Sequence, residues 1–142
     1  MSMSRQKCVG AGGPRIATAR PAGFISPWCL GGPVNQKSRD ETETVEAEPG
    51  VRLAQPVAGE RMNAQHFAFE PEASASEHSH PSEQVLFLYE GELTVAVDEE
   101  THHLKAGDSL LITGDVPHAA ENRGEACARG VDVFSPVRED TP

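Results

Sequence analysis

Apolar residues in this chain fall in short alternating runs, and the runs begin at Val51. Leu93, Val95 and Val97 alternate with Thr94, Ala96 and Asp98, the period of a strand with one buried face. Gln84 to Tyr89 is dense in β-formers and stops at Glu90-Gly91; within it Gln84, Leu86 and Leu88 share one parity and are predicted to face inward. Arg61 to Phe69 reads as a strand ending at Pro71, and Thr101 to Leu104, Ser109 to Ile112, Pro117 to Glu121 and Cys127 to Phe134 as further strands. Turn residues separate them at Asp98 to Glu100, Ala106-Gly107-Asp108, Gly114-Asp115 and Asn122-Arg123-Gly124. No helical run exceeds one turn. Short strands at this spacing predict an all-β domain built as a double-sheet jelly roll.

Residues 1–34 do not share this pattern. They are rich in Gly, Pro, Ser and Arg, and their few large apolar residues, Phe24, Ile25, Trp28 and Leu30, follow no period. The segment reads as a disordered extension upstream of a start near Val34, or as a basic targeting peptide without the apolar stretch of a secretory signal. Arg39 to Glu48 reads as a solvated lead-in, so the division is 1–45 for the extension and 46–142 for the folded domain.

Charge changes the picture of partners. Residues 1–34 hold four of the 12 basic residues and no acid; the remainder sets eight basic residues against all 22 acidic ones, a formal −14. Such a surface disfavours nucleic acid and anionic membranes, because binding either requires Lys and Arg to neutralise phosphates. No apolar run approaches the ~20 residues that span a bilayer. The three cysteines form no CxxC motif and no disulfide framework, with Cys127 alone in the domain, so a reducing, cytoplasmic setting is expected.

The candidate chemistry lies in the histidines. His78 and His80 are two apart, so on a strand their imidazoles share a face, and Gln84 has the same parity. His118 follows Pro117 beyond a glycine-containing turn. Three imidazoles and one amide oxygen suit one divalent transition metal, Fe, Mn, Ni, Co or Zn, rather than Mg or Ca. Gln84 is the fourth ligand rather than Glu83 on parity and on its spacing from Gly91. A neutral ligand leaves the metal's charge unscreened toward a substrate carboxylate or carbonyl. His102 and His103 are adjacent and point to opposite faces, as on a surface hairpin; His66 could line the barrel from its strand.

The run His78-Ser79-His80-Pro81-Ser82-Glu83-Gln84 with Gly91 resembles the first cupin motif, and Gly107-Asp108 with Pro117-His118 and Asn122 resembles the second. The resemblance implies a single cupin double-stranded β-helix, or jelly-roll barrel, over residues 51–138. Glu72, Thr113 and Asp115 stand where these motifs usually carry Gly, Pro and Gly, all turn positions. A homodimer through exposed sheet edges is implied as well.

On the last strand Asp132 and Phe134 share a face, and Arg138 follows the bend at Pro136. From spacing alone these are a core Phe beside an ion pair, or a site for an anionic sugar. The ending is similar to that of small cupins that linearise 4,5-unsaturated monouronates. That resemblance implies that Asp132 moves a proton, Phe134 packs on the sugar ring and Arg138 grips the carboxylate. The expected function is therefore a metal-dependent isomerase or lyase-like enzyme converting a cyclic unsaturated uronate, or a related sugar acid, to its linear keto form. An Fe- or Ni-dependent dioxygenase and a non-enzymatic sugar-acid or metal sensor are the alternatives.

Overall fold

The alternation in the sequence becomes a ladder of antiparallel strands. The computed structural model describes Cys8 and residues 34–138. Its strands are β1 (Val45–Glu48), β2 (Val51–Ala58), β3 (Asn63–Phe69), β4 (Ser74–His78), β5 (Glu83–Glu90), β6 (Glu92–Val97), β7 (Glu100–Lys105), β8 (Ser109–Ile112), β9 (His118–Glu121) and β10 (Ala128–Ser135). A single turn of 3-10 helix, Arg39–Glu41, precedes them. They form a six-stranded sheet in the order β1-β2-β3-β10-β5-β8 and a four-stranded sheet in the order β4-β9-β6-β7. The two sheets make a jelly-roll barrel.

The core fills the space between the sheets. Phe67 and Phe69 on β3, Leu86 and Leu88 on β5, Leu93 and Val95 on β6, Leu104 on β7 and Ile112 on β8 all point inward and are at most 7% exposed. Burying a Leu or Phe side chain contributes about 1.5–3 kcal/mol, so these positions fix the register. The predicted inward face of β5 is observed: Gln84, Leu86 and Leu88 are buried while Val85, Phe87 and Tyr89 are exposed.

Several expectations are corrected. The lead-in is not wholly solvated chain: Val45–Glu48 pairs with β2 as an edge strand, with Val45 opposite Leu53. Its four residues, three of them exposed, have no apolar period to reveal them. The cysteines do not stay apart, since Cys8 is disulfide-bonded to Cys127 across a sequence separation of 119 residues. A pairing that distant leaves no local signal, and it runs against the reducing setting inferred from cysteine spacing. The extension predicted over 1–45 otherwise falls largely on residues 1–7 and 9–33, outside the described residues. No helix among the described residues is long and apolar enough to cross a membrane.

The turn positions that depart from the motifs keep the motifs' backbone. Glu72 and Asp115 hold φ of 69° and 64°, the left-handed region that glycine adopts without strain. Asn122 closes the adjoining turn. Its side chain is fully buried, donates to the carbonyls of Phe69 and Ala126 and accepts from the amide of Gly124.

Candidate metal centre

The three histidines arrive from different elements. His78 ends β4 and pairs directly with His118, which opens β9 in the four-stranded sheet. His80 is not on a strand; it lies in the crossover that carries the chain from β4 to β5 in the other sheet. The shared-face argument for His78 and His80 is therefore corrected, because the loop and not strand parity brings them together. Asp115 N–H donates to the His80 carbonyl at 2.8 Å, and a Cβ on Gly114 would collide with the Pro81 carbonyl, so the turn after β8 holds this crossover in place. Ring centroids lie 4.4 Å (His78–His118), 5.0 Å (His80–His118) and 5.8 Å (His78–His80) apart.

Hydrogen bonds set the tautomers. Each Nδ1–H donates to a backbone carbonyl two residues away: His78 to Ser76 at 2.8 Å, His80 to Ser82 at 2.8 Å and His118 to Val116 at 2.9 Å. Each ring is thereby left with Nε2 as a lone pair aimed at the others, the arrangement in which an outer partner orients a metal-binding imidazole. One candidate ligand atom from each of the three lies within 4.8 Å of the other two. Burial lowers the pKa of His80, and lowers that of His118 to about 4, so both rings are neutral near pH 7 and able to bind a cation. The Ser76 carbonyl that receives His78 belongs to a residue held in turn by Glu48, whose carboxylate accepts from the Ser76 amide at 2.8 Å and from its hydroxyl. Those bonds hold the Glu48 carboxyl below the usual carboxylate range.

Gln84 completes the cluster. It sits near the start of β5, opposite Phe134 on β10 and Ile112 on β8. Its amide nitrogen donates to Asp132 Oδ1 at 2.8 Å, which turns its oxygen toward His80 Nε2, 3.0 Å away. The pair is a hydrogen bond when Nε2 carries the proton; with the Nδ1–H given to Ser82, two lone pairs face each other there, and a cation beside them relieves their repulsion. His118 Nε2 is also buried without a hydrogen-bond partner. A buried acceptor left alone costs about 1–3 kcal/mol. Convergent, unprotonated donors of this kind fit a divalent transition metal and are consistent with a single metal site.

Asp132 lies next to this cluster on β10, 6% exposed. Burial raises its pKa to about 7, against the opposing pull of the Gln84 hydrogen bond, the Arg138 charge and the Gln65 hydrogen bond. Gln65, which sequence reasoning passed over, donates to the other carboxylate oxygen at 3.4 Å. Its signal was present, since Gln65 shares the inward parity of Phe67 and Phe69 and is a polar residue on an apolar face. Arg138 is carried to the same end by the chain beyond the cis Ser135–Pro136 peptide, its backbone amide donating to Asn63.

Phe134 lies beside the cluster, on the same strand as Asp132. It is fully buried and meets His80 edge-on with centroids 5.4 Å apart, while the Arg138 guanidinium lies 5.3 Å from its ring centre. Its ring packs on His80 and lies under Arg138, and it is not among the residues that line the cavity described below. His66 does not line the barrel either, since it turns outward and meets the Tyr89 hydroxyl. His102 and His103 lie on the β6–β7 hairpin, beside Glu100 and Thr94.

A cavity of about 290 Å³ opens from the cluster into the barrel. His78, His118, Gln84, Gln65, Asp132 and Arg138 are polar residues of its lining, with Glu48, Ser76 and Glu77 of the β1 and β4 side; the rest of the wall is apolar, and includes Val51, Phe67, Phe69, Leu86, Leu93 and Val95.

The family model for the cupin domain matches residues 65–134. An RmlC-like cupin from Shewanella frigidimarina NCIMB 400 is 30% identical and superposes with a TM-score of 0.66, over 75% of this chain and 98% of that one. The chain belongs to the cupin family. This cupin also shares its fold with KdgF from Halomonas sp., at 23% identity and a TM-score of 0.70, over 75% of this chain and 97% of the other. In sequence it is 40% identical over 73 residues to the tetracenomycin polyketide synthase protein TcmJ of Streptomyces glaucescens, a match that takes in 51% of this chain and 49% of TcmJ. The chain spans about half the length of the curated relatives it matches.

Proposed function

We propose that this cupin is a metal-dependent enzyme that moves a proton at the carbon beside a carbonyl group. The observation that carries the reading is Asp132, a buried carboxyl held by Gln84 and Gln65 in the wall of the cavity that His78 and His118 also line. A general acid–base group works best with a pKa close to the working pH, and a site of this kind contributes about 10²–10⁴-fold. A divalent transition metal held by Nε2 of His78, His80 and His118 and by Gln84 Oε1 would supply Lewis acidity toward a carbonyl or carboxylate oxygen.

The remaining work falls to the chain's own groups. Asp132 takes the proton from the substrate carbon and returns it, while the amides of Gln84 and Gln65 keep its two oxygens aimed into the cavity. Arg138 holds an anionic oxygen of the substrate. The apolar wall excludes water, which strengthens each of these interactions.

The wall also bears on the substrate. A polyhydroxylated ring pushed against Val51, Phe69, Leu93 and Val95 would leave its hydroxyls unpaired, whereas a flat apolar body carrying its carbonyls at one end loses nothing there. We therefore favour a polyketide-like ketone, a reading in keeping with the relationship to a polyketide synthase protein. The second reading is conversion of a cyclic 4,5-unsaturated uronate to its linear keto form. It is favoured by Arg138, whose guanidinium suits bidentate capture of a carboxylate beside Asp132.

Proton NMR separates the two. Metal-loaded protein is incubated with an aryl 1,3-diketone and, separately, with 4,5-unsaturated galacturonate, with chelated protein and His118→Ala as controls. Metal-dependent loss of the diketone's α-proton signal in D₂O, faster than with the metal alone, supports the first reading and metal-dependent loss of the vinyl signal the second. Turnover of neither by fully metallated protein overturns the proposed chemistry.

A further inference from the structure

β1 and β4 are outermost strands of the two sheets, β1 laddered only to β2 and β4 only to β9. Each slips against its partner by one residue. Along β1 the two steps from Glu46 to Glu48 are matched by one along β2, from Arg52 to Val51. Along β4 the three steps from Ala75 to His78 are matched by two along β9, from Ala120 to His118. Such an extra residue is a β-bulge, and it reverses the face that the side chains after it take.

The reversal decides where two side chains point. Ala75 packs against the core, so in an unbroken strand His78, three residues on, would face outward. The bulge over Ser76 and Glu77 turns it inward instead, opposite His118 and into the ligand cluster. On β1 the slip at Ala47 sets Glu48 opposite the buried Val51, on the barrel side of the sheet. In unbroken register Glu48 would share the face of Glu46, whose carboxylate accepts from the Gly50 amide.

The two bulges meet. Glu48 reaches Ser76 with both carboxylate oxygens, Oε2 accepting from the amide at 2.8 Å and Oε1 from the hydroxyl. The Ser76 carbonyl in turn accepts from His78 Nδ1–H at 2.8 Å. Ser76 is thus fixed by Glu48 on one side and fixes His78 on the other. Of the three imidazoles, His78 depends most on such support. His80 and His118 are 6 and 5% exposed and held by their surroundings, whereas His78 is half-buried.

We infer that Glu48 is a positioning residue for His78, holding the β4 bulge in the form that aims Nε2 at the metal. The inference rests on the reading of His78, His80, Gln84 and His118 as one metal site. Reach, rather than charge, is what the geometry asks of this side chain. A glutamine would keep an oxygen for the Ser76 amide and give its own amide to the hydroxyl. An aspartate would keep the charge but fall one methylene short. If Glu48 only braced β1 against the barrel, its loss would alter stability and leave metal binding untouched.

The test is Co(II) binding by the full chain, measured by chelator competition and by the visible spectrum of the bound ion. Glu48→Ala, Glu48→Asp and Glu48→Gln are compared with the unaltered protein, and Glu46→Ala controls for loss of a β1 carboxylate. Glu48→Ala and Glu48→Asp are expected to bind about 10–100-fold more weakly, the effect of losing an outer partner of a metal-bound histidine, with Glu48→Gln within about fivefold of the unaltered protein. The weakened variants also show an altered Co(II) spectrum, and Glu46→Ala binds as the unaltered protein does. Should Glu48→Ala fail to fold, the contrast between Glu48→Asp and Glu48→Gln still decides. Binding retained in all three Glu48 variants overturns the inference, and so does binding retained in Glu48→Asp but lost in Glu48→Gln, which would assign the effect to charge.

A second readout needs no metal. In the metal-free protein at pH 8, long-range ¹H–¹⁵N spectra are expected to show His78 as the Nδ1–H tautomer. In Glu48→Asp it shifts toward the Nε2–H form that a free imidazole prefers, and in Glu48→Gln it does not. If no form of the protein binds Co(II), the metal site itself fails, and the tautomer still reports whether Glu48 sets the ring. A His78 tautomer indifferent to Glu48→Asp overturns the positioning role.

Discussion

Gln84 donates its amide nitrogen to Asp132 Oδ1 at 2.8 Å and, by that bond, turns its oxygen toward His80. One side chain therefore joins the ligand cluster to the buried carboxyl. Replacing it by glutamate keeps a metal-binding oxygen but exchanges a donor to Asp132 for a second carboxylate. Gln84→Glu is expected to retain Co(II), read from its visible spectrum, while turnover falls on the order of 100-fold because Asp132 loses the donor that aims it. Unchanged turnover would show that Gln84 acts as a ligand alone.

His118 is the ligand candidate whose Nε2 is buried and unpartnered. Losing even a supporting partner of a metal-bound histidine costs about 10–100-fold in affinity, so His118→Ala is expected to weaken Zn(II) or Co(II) binding by more than 100-fold in a chelator competition. Ligand linkage gives a second readout: saturating metal raises the melting temperature of the unaltered protein, and that rise disappears in the variant.

The metal-free protein has a pH signature with a definite sign. Asp132 has a folded pKa of about 7, against 3.8 for an unperturbed aspartate, so between those values the folded state holds a proton that the unfolded state has released. Stability contributed by this group is present below about pH 4 and is lost as pH rises to about 7. His118 acts oppositely: its pKa falls from 6.5 to about 4, so its contribution is present above pH 6.5 and is lost as pH falls toward 4. Asp132→Asn removes the first effect alone. The variant's stability advantage in urea should therefore grow from pH 4 to 7 and then level off, reaching on the order of 4 kcal/mol at about 1.4 kcal/mol per tenfold change in proton affinity. An advantage that does not vary with pH would mean that Asp132 ionises normally.

Glu72 and Asp115 hold left-handed backbone at φ of 69° and 64°. A non-glycine residue there costs about 1–2 kcal/mol, offset in part by the greater freedom glycine has in the unfolded chain. Glu72→Gly and Asp115→Gly are each expected to stabilise the protein by about 0.5–1 kcal/mol, seen as a rise of a few degrees in melting temperature. No rise at Glu72 would show that its side chain compensates the strain.

The barrel was largely legible because its strands alternate and are punctuated by Gly, Asp and Asn. Leu93 to Val97 and Ser109 to Ile112 are found where the period placed them. The ligand residues were legible as chemistry, but their geometry was not: His80 joins His78 through a crossover between sheets, which no strand period describes. Gln65 was readable from its parity and was passed over in favour of charged residues. Two features had no local signal. β1 is held by pairing with β2 and by Glu48 reaching Ser76, and the Cys8–Cys127 bond spans 119 residues. Phe134 was legible as an inward residue, but its edge-on contact with His80, which comes from the crossover between the sheets, was not.

The most direct measurement is incorporation of solvent deuterium into the carbon beside a carbonyl, followed by proton NMR in D₂O with an aryl ketone that does not react further. Metal-loaded protein should exchange that position faster than the metal alone. Asp132→Asn, with its metal content verified, should lose the acceleration by on the order of 100-fold or more. Exchange by Asp132→Asn at the rate of the unaltered protein would contradict the assignment of proton transfer to this carboxyl.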